Sequence, residues 1–388
     1  MGTLKGFPNP PAMVRHARRW QSRRAPHATG LSPPTPAGPT FARALLAWYD
    51  RNKRDLPWRR KTNAYRTLVS EFMLQQTVVA TVVPYFERFL ARFATVQALA
   101  GAREDEVLAL WSGLGYYSRA RHLHRAARLV VHELGGTLPS NEEQLRQLPG
   151  VGAYTAAAVA AIAFSQRTLP VDGNVARVLA RILGERRSID RLAVRAGLRV
   201  QGQTLVPARR PGDFAQAMME LGARCCLPHE PRCPECPVAG FCRARSEGAT
   251  ATIPVRAKRP AKRRIHLACV AVERQGRLLL VRRPAGTLLA GTWLLPLQEL
   301  RAGEAATRAA RLALAGLGLL LEGSLRPIGD LRHVFTHRDA TASVFGAHAR
   351  GRVDTPDARW VRADELASLP LSTFGRKMIA IAQGVATV

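Results

Sequence analysis

Apolar positions recur at helical spacing through residues 67–90 and 106–134, with arginine and histidine filling the opposite face. Residues 153–163 are dominated by alanine, the residue of highest helix propensity. Little from Phe41 to about Arg245 alternates with period two, so this stretch is predicted to be mostly helical. Beyond Leu267 the pattern changes. Residues 267–273 and 277–282 are β-branched or aliphatic runs parted by Gln275-Gly276, which predicts a hairpin. A helix is expected over about 304–314, with strand-like runs near 333–335, 342–348 and 359–361. The second part therefore reads as a separate α+β domain.

Three further features shape this division. Between the two parts, residues 243–266 hold eight Lys/Arg against one acid, with Pro254 and Pro260, so 246–265 is expected to be an extended, mobile linker. Residues 1–39 hold eight prolines and six Lys/Arg but no acid, and are expected to form a disordered basic tail. Its scarcity of serine and its helix-breaking prolines argue against a transit peptide. Over all 388 residues, 58 Lys/Arg face 28 acids, a formal charge of +30 that favours a polyanionic partner, with nucleic acid the usual one. No run approaches the roughly 18 apolar residues of a membrane span, so no membrane association is expected.

Five of the six cysteines fall within positions 225–242, a clustering unlike a secreted disulfide scaffold and expected of a metal site in a reducing cytoplasm. Cys226, Cys233, Cys236 and Cys242 are spaced C-x6-C-x2-C-x5-C. Four thiolates on short loops suit either zinc or an iron–sulfur cubane, and ligand count alone does not choose between them. Cys225 and Cys269 fall outside the pattern and read as ordinary small buried residues. Leu148-Pro149-Gly150-Val151-Gly152 precedes the alanine-rich helix; its glycines permit a tight turn, and the amides of Gly150, Val151 and Gly152 are placed to receive a phosphate. About twenty residues on comes Val171-Asp172-Gly173-Asn174-Val175. Taken alone, Asp172 reads as a helix N-cap, a part that Asn174 could equally play. In Ser70-Glu71-Phe72-Met73-Leu74-Gln75-Gln76-Thr77 an acid stands on a mainly apolar helix, where burial would raise its pKa and suit it to act as a general acid.

Together these segments resemble the MutY adenine glycosylase family of the endonuclease III superfamily, whose helix–hairpin–helix is followed by a catalytic aspartate. The resemblance runs from about Phe41 to the C-terminus. It implies a helical glycosylase domain over 40–245, a Nudix-like domain over 266–388, and one [4Fe–4S] cluster on the four spaced cysteines in a structural role. It further implies that Glu71 protonates adenine N7 and that Asp172, with Asn174 beside it, stabilises the oxocarbenium-like sugar. In the lyase branch of the superfamily a lysine follows the hairpin and forms a Schiff base. Tyr154 stands there in this sequence, and a phenol cannot do so, which implies a monofunctional glycosylase. Tyr154 is implied instead to support the transition state. Leu56, Trp58, Arg59 and Gln216 are implied to wall the adenine pocket, and Gln76 and Tyr116 to wedge into the duplex as the base is flipped out.

In the second domain, Gly291-Thr292-Trp293-Leu294-Leu295-Pro296 resembles the lead-in to a Nudix box. From 297 to 321, however, the only acids are Glu299 and Glu304, too few for its metal-binding helix, so diphosphate hydrolysis is not expected. Phe335-Thr336-His337 stands where the family has a Phe-Ser-His loop that recognises 8-oxoguanine. Threonine keeps the hydroxyl but adds a methyl. The implied partner is double-stranded DNA with adenine opposite 8-oxoguanine or guanine, acted on by a monomer. The rivals are a glycosylase for another base and a non-enzymatic iron–sulfur DNA-binding protein; Tyr154 and Gln216 argue against the first, and Glu71 with Asp172 against the second.

Overall fold

The computed structural model describes residues 38–257, 260–284 and 286–385. Of the expected tail, 1–39, residues 1–37 lie outside them, and the last two belong to the first helix, Gly38–Asn52. As predicted, the chain is helical up to Ser246, and β-structure begins only at Arg263. Two apolar cores organise the helical domain. One gathers Ala64–Leu74, Val79–Arg92, Ser118–Glu133 and much of Ala153–Phe164 around Phe72, Phe86, Phe89 and Trp111. The other gathers Gly38–Asn52, Gly173–Leu183, Leu192–Gln203 and Pro211–Arg224 around Phe41, Leu179, Phe214 and Leu221.

Local chemistry explains how these helices start and how closely they pack. The Asn63 side chain accepts from Arg66 N at 2.8 Å and opens the helix Ala64–Leu74, which is buried along most of its length. The alanine-rich helix Ala153–Phe164 packs against both Ala64–Leu74 and Pro211–Arg224 because its small side chains let neighbours approach. At the second contact the approach is closer still. A Cβ at Gly212 would lie 2.6 Å from Ala161 O, so only glycine fits there.

The second domain is a mixed seven-stranded sheet: β1 (Arg263–Arg274), β2 (Arg277–Arg282), β3 (Trp293–Leu294), β4 (Leu297–Glu299), β5 (Leu320–Val334), β6 (Arg338–Arg350) and β7 (Ala358–Val361). The central strand β1 is parallel to β6, with Cys269 opposite Val344, and antiparallel to β2 and β4. It is buried over six consecutive residues because helices cover both faces: Ala306–Ala315 on one, Thr373–Ala382 on the other. The predicted hairpin is present, with Gln275 and Gly276 both at positive φ, as a two-residue turn of this kind requires. The molecule is thus a mainly α domain followed by an α+β domain.

The segment between the domains departs from expectation. Arg243–Ser246 is a helical turn, Ile253 is buried in the second helical core, and Arg181 Nε donates to Ile253 O at 2.8 Å. Its apolar Ala249 and Ile253 find a hydrophobic seat that outweighs the surrounding charge, so this part is packed down, not free. Among the described residues no helix is long and apolar enough to cross a membrane.

Candidate active site and cysteine loop

Two elements from different cores bring the carboxylates together. Glu71 projects from Ala64–Leu74, and Asp172 stands at the start of Gly173–Leu183. Both line one cavity of about 530 Å³, with Tyr154, Asn174, Leu56, Trp58, Arg59 and Gln216. Residues spread over 160 positions of sequence thus share one wall, and the volume lies within the usual range for a small-molecule pocket.

Glu71 is only 5% exposed, and its Oε2 has no hydrogen-bond partner in the protein. Burial pushes its pKa up to about 7, opposed by the nearby Tyr154 hydroxyl and reinforced by the charge of Asp172. The Tyr154 hydroxyl itself donates to Met219 Sδ at 3.9 Å. Burial, followed by the charges of Glu71 and Asp172, keeps that hydroxyl protonated well above the usual tyrosine value.

Asp172 has two engagements. Its Oδ1 accepts from Val175 N at 2.7 Å, so this residue, not Asn174, is the N-cap. Its Oδ2 accepts from Asn174 Nδ2 at 3.1 Å. Asn174 Oδ1 in turn accepts from Arg177, whose guanidinium also donates to Gly222 O and Cys226 O. Asp172 thus caps the helix with one oxygen, takes Asn174 on the other, and still lines the cavity.

Cys226, Cys233, Cys236 and Cys242 line a second, small cavity, and none is in a disulfide. Arg181, itself buried, donates from Nη1 to Cys226 Sγ at 3.3 Å. The donor set is therefore all sulfur, with an adjacent cation to offset thiolate charge, which fits an iron–sulfur cluster. Among the described residues no group of three or more His, Cys, Asp or Glu side chains is arranged to hold a metal ion, so the cysteines are brought to one cavity without a formed ligand shell. Cys225 is buried as expected but also lines this cavity, its Sγ donating to Arg232 O at 3.3 Å.

The remaining expected residues lie outside the cavity of Glu71 and Asp172. Gly150 has φ +78°, and a Cβ there would collide with His122 Cβ at 2.5 Å, so the turn demands glycine twice over. Val151 N closes the turn on Leu148 O at 3.1 Å, and Gly152 opens the alanine-rich helix with no side-chain cap. Gln76 and Tyr116 both adopt positive φ, at 59° and 50°. Such strain in non-glycine residues persists only where surroundings impose it. Arg119 imposes it here. Its guanidinium donates to the carbonyls of Phe72, Met73 and Gln75 on one side and to those of Leu114 and Gly115 on the other.

Phe335, Thr336 and His337 form the tight turn between β5 and β6, closed by Phe335 N on Arg338 O at 2.8 Å. They line a cleft of about 620 Å³ between the domains, opposite Tyr116, whose hydroxyl is hydrogen-bonded to Thr336 Oγ1. The two acids of residues 297–321 make local contacts: Glu299 pairs with Arg263 at 2.7 Å, and Glu304 accepts from Arg301 N at 2.9 Å.

Two residues of this region carry no signal in the motifs above. Arg119 lies three residues beyond Tyr116, but its role lies in backbone carbonyls that sequence does not display. Glu220 is fully buried, and its flanks, Met218-Met219 and Leu221, set an acid among apolar residues just as those of Glu71 do. That pattern could have found it.

Comparison with known proteins accords with this architecture. Residues 69–201 match the HhH-GPD superfamily of base excision DNA repair proteins, and residues 267–380 match the NUDIX domain. The chain is 40% identical over 404 aligned residues to the adenine DNA glycosylase of Homo sapiens, covering 89% of this chain and 74% of that one. It is 36% identical to the adenine DNA glycosylase of Arabidopsis thaliana, over 86% of this chain and 63% of that one. Among solved structures, a thermostable thymine-DNA glycosylase superposes with a TM-score of 0.50 at 28% identity, covering 54% of this chain and 97% of its own. With both domains matched in order and the likeness running through most of its length, the chain belongs to the adenine DNA glycosylase family.

Proposed function

We propose that this protein excises adenine mispaired with 8-oxoguanine or guanine, hydrolysing the N-glycosidic bond without cutting the strand. The carrying observation is Glu71: a buried acid with an unpartnered oxygen and a pKa near 7, sharing a base-sized cavity with Asp172. An extruded adenine placed there receives a proton on N7 from Glu71 and departs as a neutral base. Asp172 then faces a sugar carrying positive charge and steadies it until water adds, the two-carboxyl logic of glycoside hydrolysis. Arg59 and Gln216 hold the base, and Asn174 and Tyr154 support the two acids. Tyr154 offers no amine, so no Schiff base forms.

The duplex is held at the turn Gly150, Val151 and Gly152 at a helix start: Val151 N closes the turn on Leu148 O, and the amides of Gly150 and Gly152 meet a phosphate. Gln76 and Tyr116 fill the gap left by the extruded base. Phe335, Thr336 and His337 read 8-oxoguanine in the opposite strand, across the same cleft that Tyr116 lines. Cys226, Cys233, Cys236 and Cys242 hold one [4Fe–4S] cluster, which when bound ties the loop into a rigid cationic platform and leaves the chemistry to the carboxyls. The protein acts as a monomer.

The test is a set of duplexes carrying A:8-oxoG, A:G, T:G or thymine glycol, incubated with the full-length chain and then treated with alkali. Alkali-dependent breaks at adenine alone support the proposal. Breaks without alkali, or release of a pyrimidine, would overturn it. For the cluster, a band near roughly 400 nm is expected of thiolate-bound iron–sulfur; a colourless protein containing zinc would refute that part.

A further inference from the structure

A third acid lines the cavity of Glu71 and Asp172, and its setting is the opposite of that of Glu71. Glu220, on Pro211–Arg224, is fully buried yet saturated with cations. Its Oε1 accepts from Arg54 Nε at 2.7 Å, and its Oε2 accepts from Arg54 Nη2 at 3.1 Å and from Arg59 Nη2 at 2.9 Å. Burial alone would raise its pKa, but the hydrogen bonds and charges of the two arginines prevail and hold the carboxyl below its ordinary value.

Arg59 is thereby fixed on several sides. Besides Glu220, its Nη1 donates to Arg54 O at 3.1 Å, and its guanidinium lies over the Tyr49 ring at 5.6 Å. So held, it points Nε at Gln216, donating to Oε1 at 3.1 Å. The Gln216 carbonyl is then occupied, and among the described residues nothing accepts from its amide nitrogen. An amide can present either a carbonyl or two N–H groups to a ligand, and here the choice has been made by a neighbour.

We propose that Glu220 is a positioning residue for base choice: by holding Arg59 it locks the Gln216 amide with its N–H donors toward the bound base. The inference rests on the reading of this cavity as the adenine pocket. With Glu71 at N7, the Gln216 donors on the facing helix meet N1, which in adenine is an unprotonated acceptor. Hypoxanthine, the 6-oxo relative of adenine, carries a hydrogen on N1 and sets donor against donor. A site built around such a bond rejects the wrong partner far more strongly than one relying on shape. Releasing Arg59 frees the amide to turn, and its carbonyl then accepts the N1 hydrogen of hypoxanthine.

Single-turnover excision by the full-length chain, from duplexes with adenine or hypoxanthine opposite 8-oxoguanine, tests this. Glu220→Gln is expected to raise the hypoxanthine-to-adenine rate ratio about tenfold, the scale of one misoriented hydrogen bond. Glu220→Asp, which keeps the charge, is expected to bring the ratio back toward wild type. Arg59→Lys, which keeps the cation but lacks the Nε–H that engages Gln216, is expected to raise the ratio as Glu220→Gln does, and it stands in if the latter does not fold. A merely structural Glu220 predicts that both rates fall together, and an unchanged ratio in Glu220→Gln or Arg59→Lys overturns the proposal. Gln216→Ala separates the two layers. If that variant leaves the ratio unchanged, the adenine-pocket reading itself fails; if it moves the ratio while Glu220→Gln does not, only the positioning role fails.

Discussion

Glu71 carries a penalty that the role proposed for it would explain. The unfolded carboxyl titrates near 4.5 and the folded one near 7, so the native state holds the proton more tightly. Below 4.5 both states are protonated and stability is unaffected; between the two values stability falls as pH rises, and above 7 it stays lowered. Glu71→Gln, which is neutral throughout, is therefore expected to stabilise the protein by on the order of 2 kcal/mol at pH about 8 and by almost nothing at pH about 4. Urea unfolding at the two pH values checks this; equal effects at both would contradict the burial argument. The same variant should lose about 10²–10⁴-fold in adenine excision, the usual contribution of a general acid, and the wild-type rate should fall as pH rises through 7. Asp172→Asn separates chemistry from folding, because asparagine caps a helix as well as aspartate does. Duplex binding should persist while turnover disappears. Excision near the wild-type rate would remove Asp172 from its assigned place.

At the scale of elements, the geometry of the Glu71–Asp172 cavity depends on how closely Pro211–Arg224 can approach Ala153–Phe164. Gly212→Ala places a Cβ 2.6 Å from Ala161 O, and the helix carrying Gln216 and Glu220 must shift outward. We expect a loss of about 1–3 kcal/mol in stability, together with slower excision. Gly197→Ala is the contrasting case. It lies in the helix Leu192–Gln203 with nothing within 4 Å of the new Cβ, so it should gain about 0.5–1 kcal/mol and leave excision unchanged. Thermal unfolding and single-turnover kinetics on both variants check the pair. Most elements were legible in advance because their periodicity is local: the apolar stripe of Ser118–Glu133, the alanines of Ala153–Phe164 and the Gln275-Gly276 turn each declare themselves within a few residues. The long β5 was seen only at its end near His333, because much of its length is exposed and its apolar start, Leu320-Leu321, continues the run of the preceding helix. The short β3 and β4 offer too few residues for any period. Packing of Ile253 against the helical core likewise has no local signal, since most of that core, from Phe41 to Leu221, lies far back in the chain.

Across the whole molecule, the two domains are joined by a small polar seam. Ser112 is buried and central to it: Oγ donates to Leu371 O at 2.7 Å and accepts from Leu371 N at 3.2 Å and Arg376 Nη2 at 2.9 Å. Tyr117 and Arg121 add bonds to Leu371 O and Ala290 O. Ser112→Val leaves the Leu371 N–H and the Arg376 guanidinium without this partner, at a cost of about 1–3 kcal/mol. If the turn at Thr336 reads 8-oxoguanine, loosening the seam should erode the preference for A:8-oxoG over A:G while sparing excision at A:G. Parallel kinetics on the two duplexes decide it, and an unchanged preference would show that the seam does not set the register of the reader. What sequence by itself determined is the chemical inventory: an acid within an apolar helix, an aspartate after a glycine hairpin, a tyrosine just after that hairpin, and four spaced thiols. These depend on residue type and short-range spacing, which the chain displays directly. Only the tertiary structure decided how the inventory works. It made Asp172 the cap and left Asn174 to hold it, clamped Gln76 and Tyr116 through Arg119, and turned Gln216 by way of Glu220. Each of those depends on carbonyls and charges brought together from distant parts of the chain, where burial strengthens every hydrogen bond that is made and penalises every one that is missing.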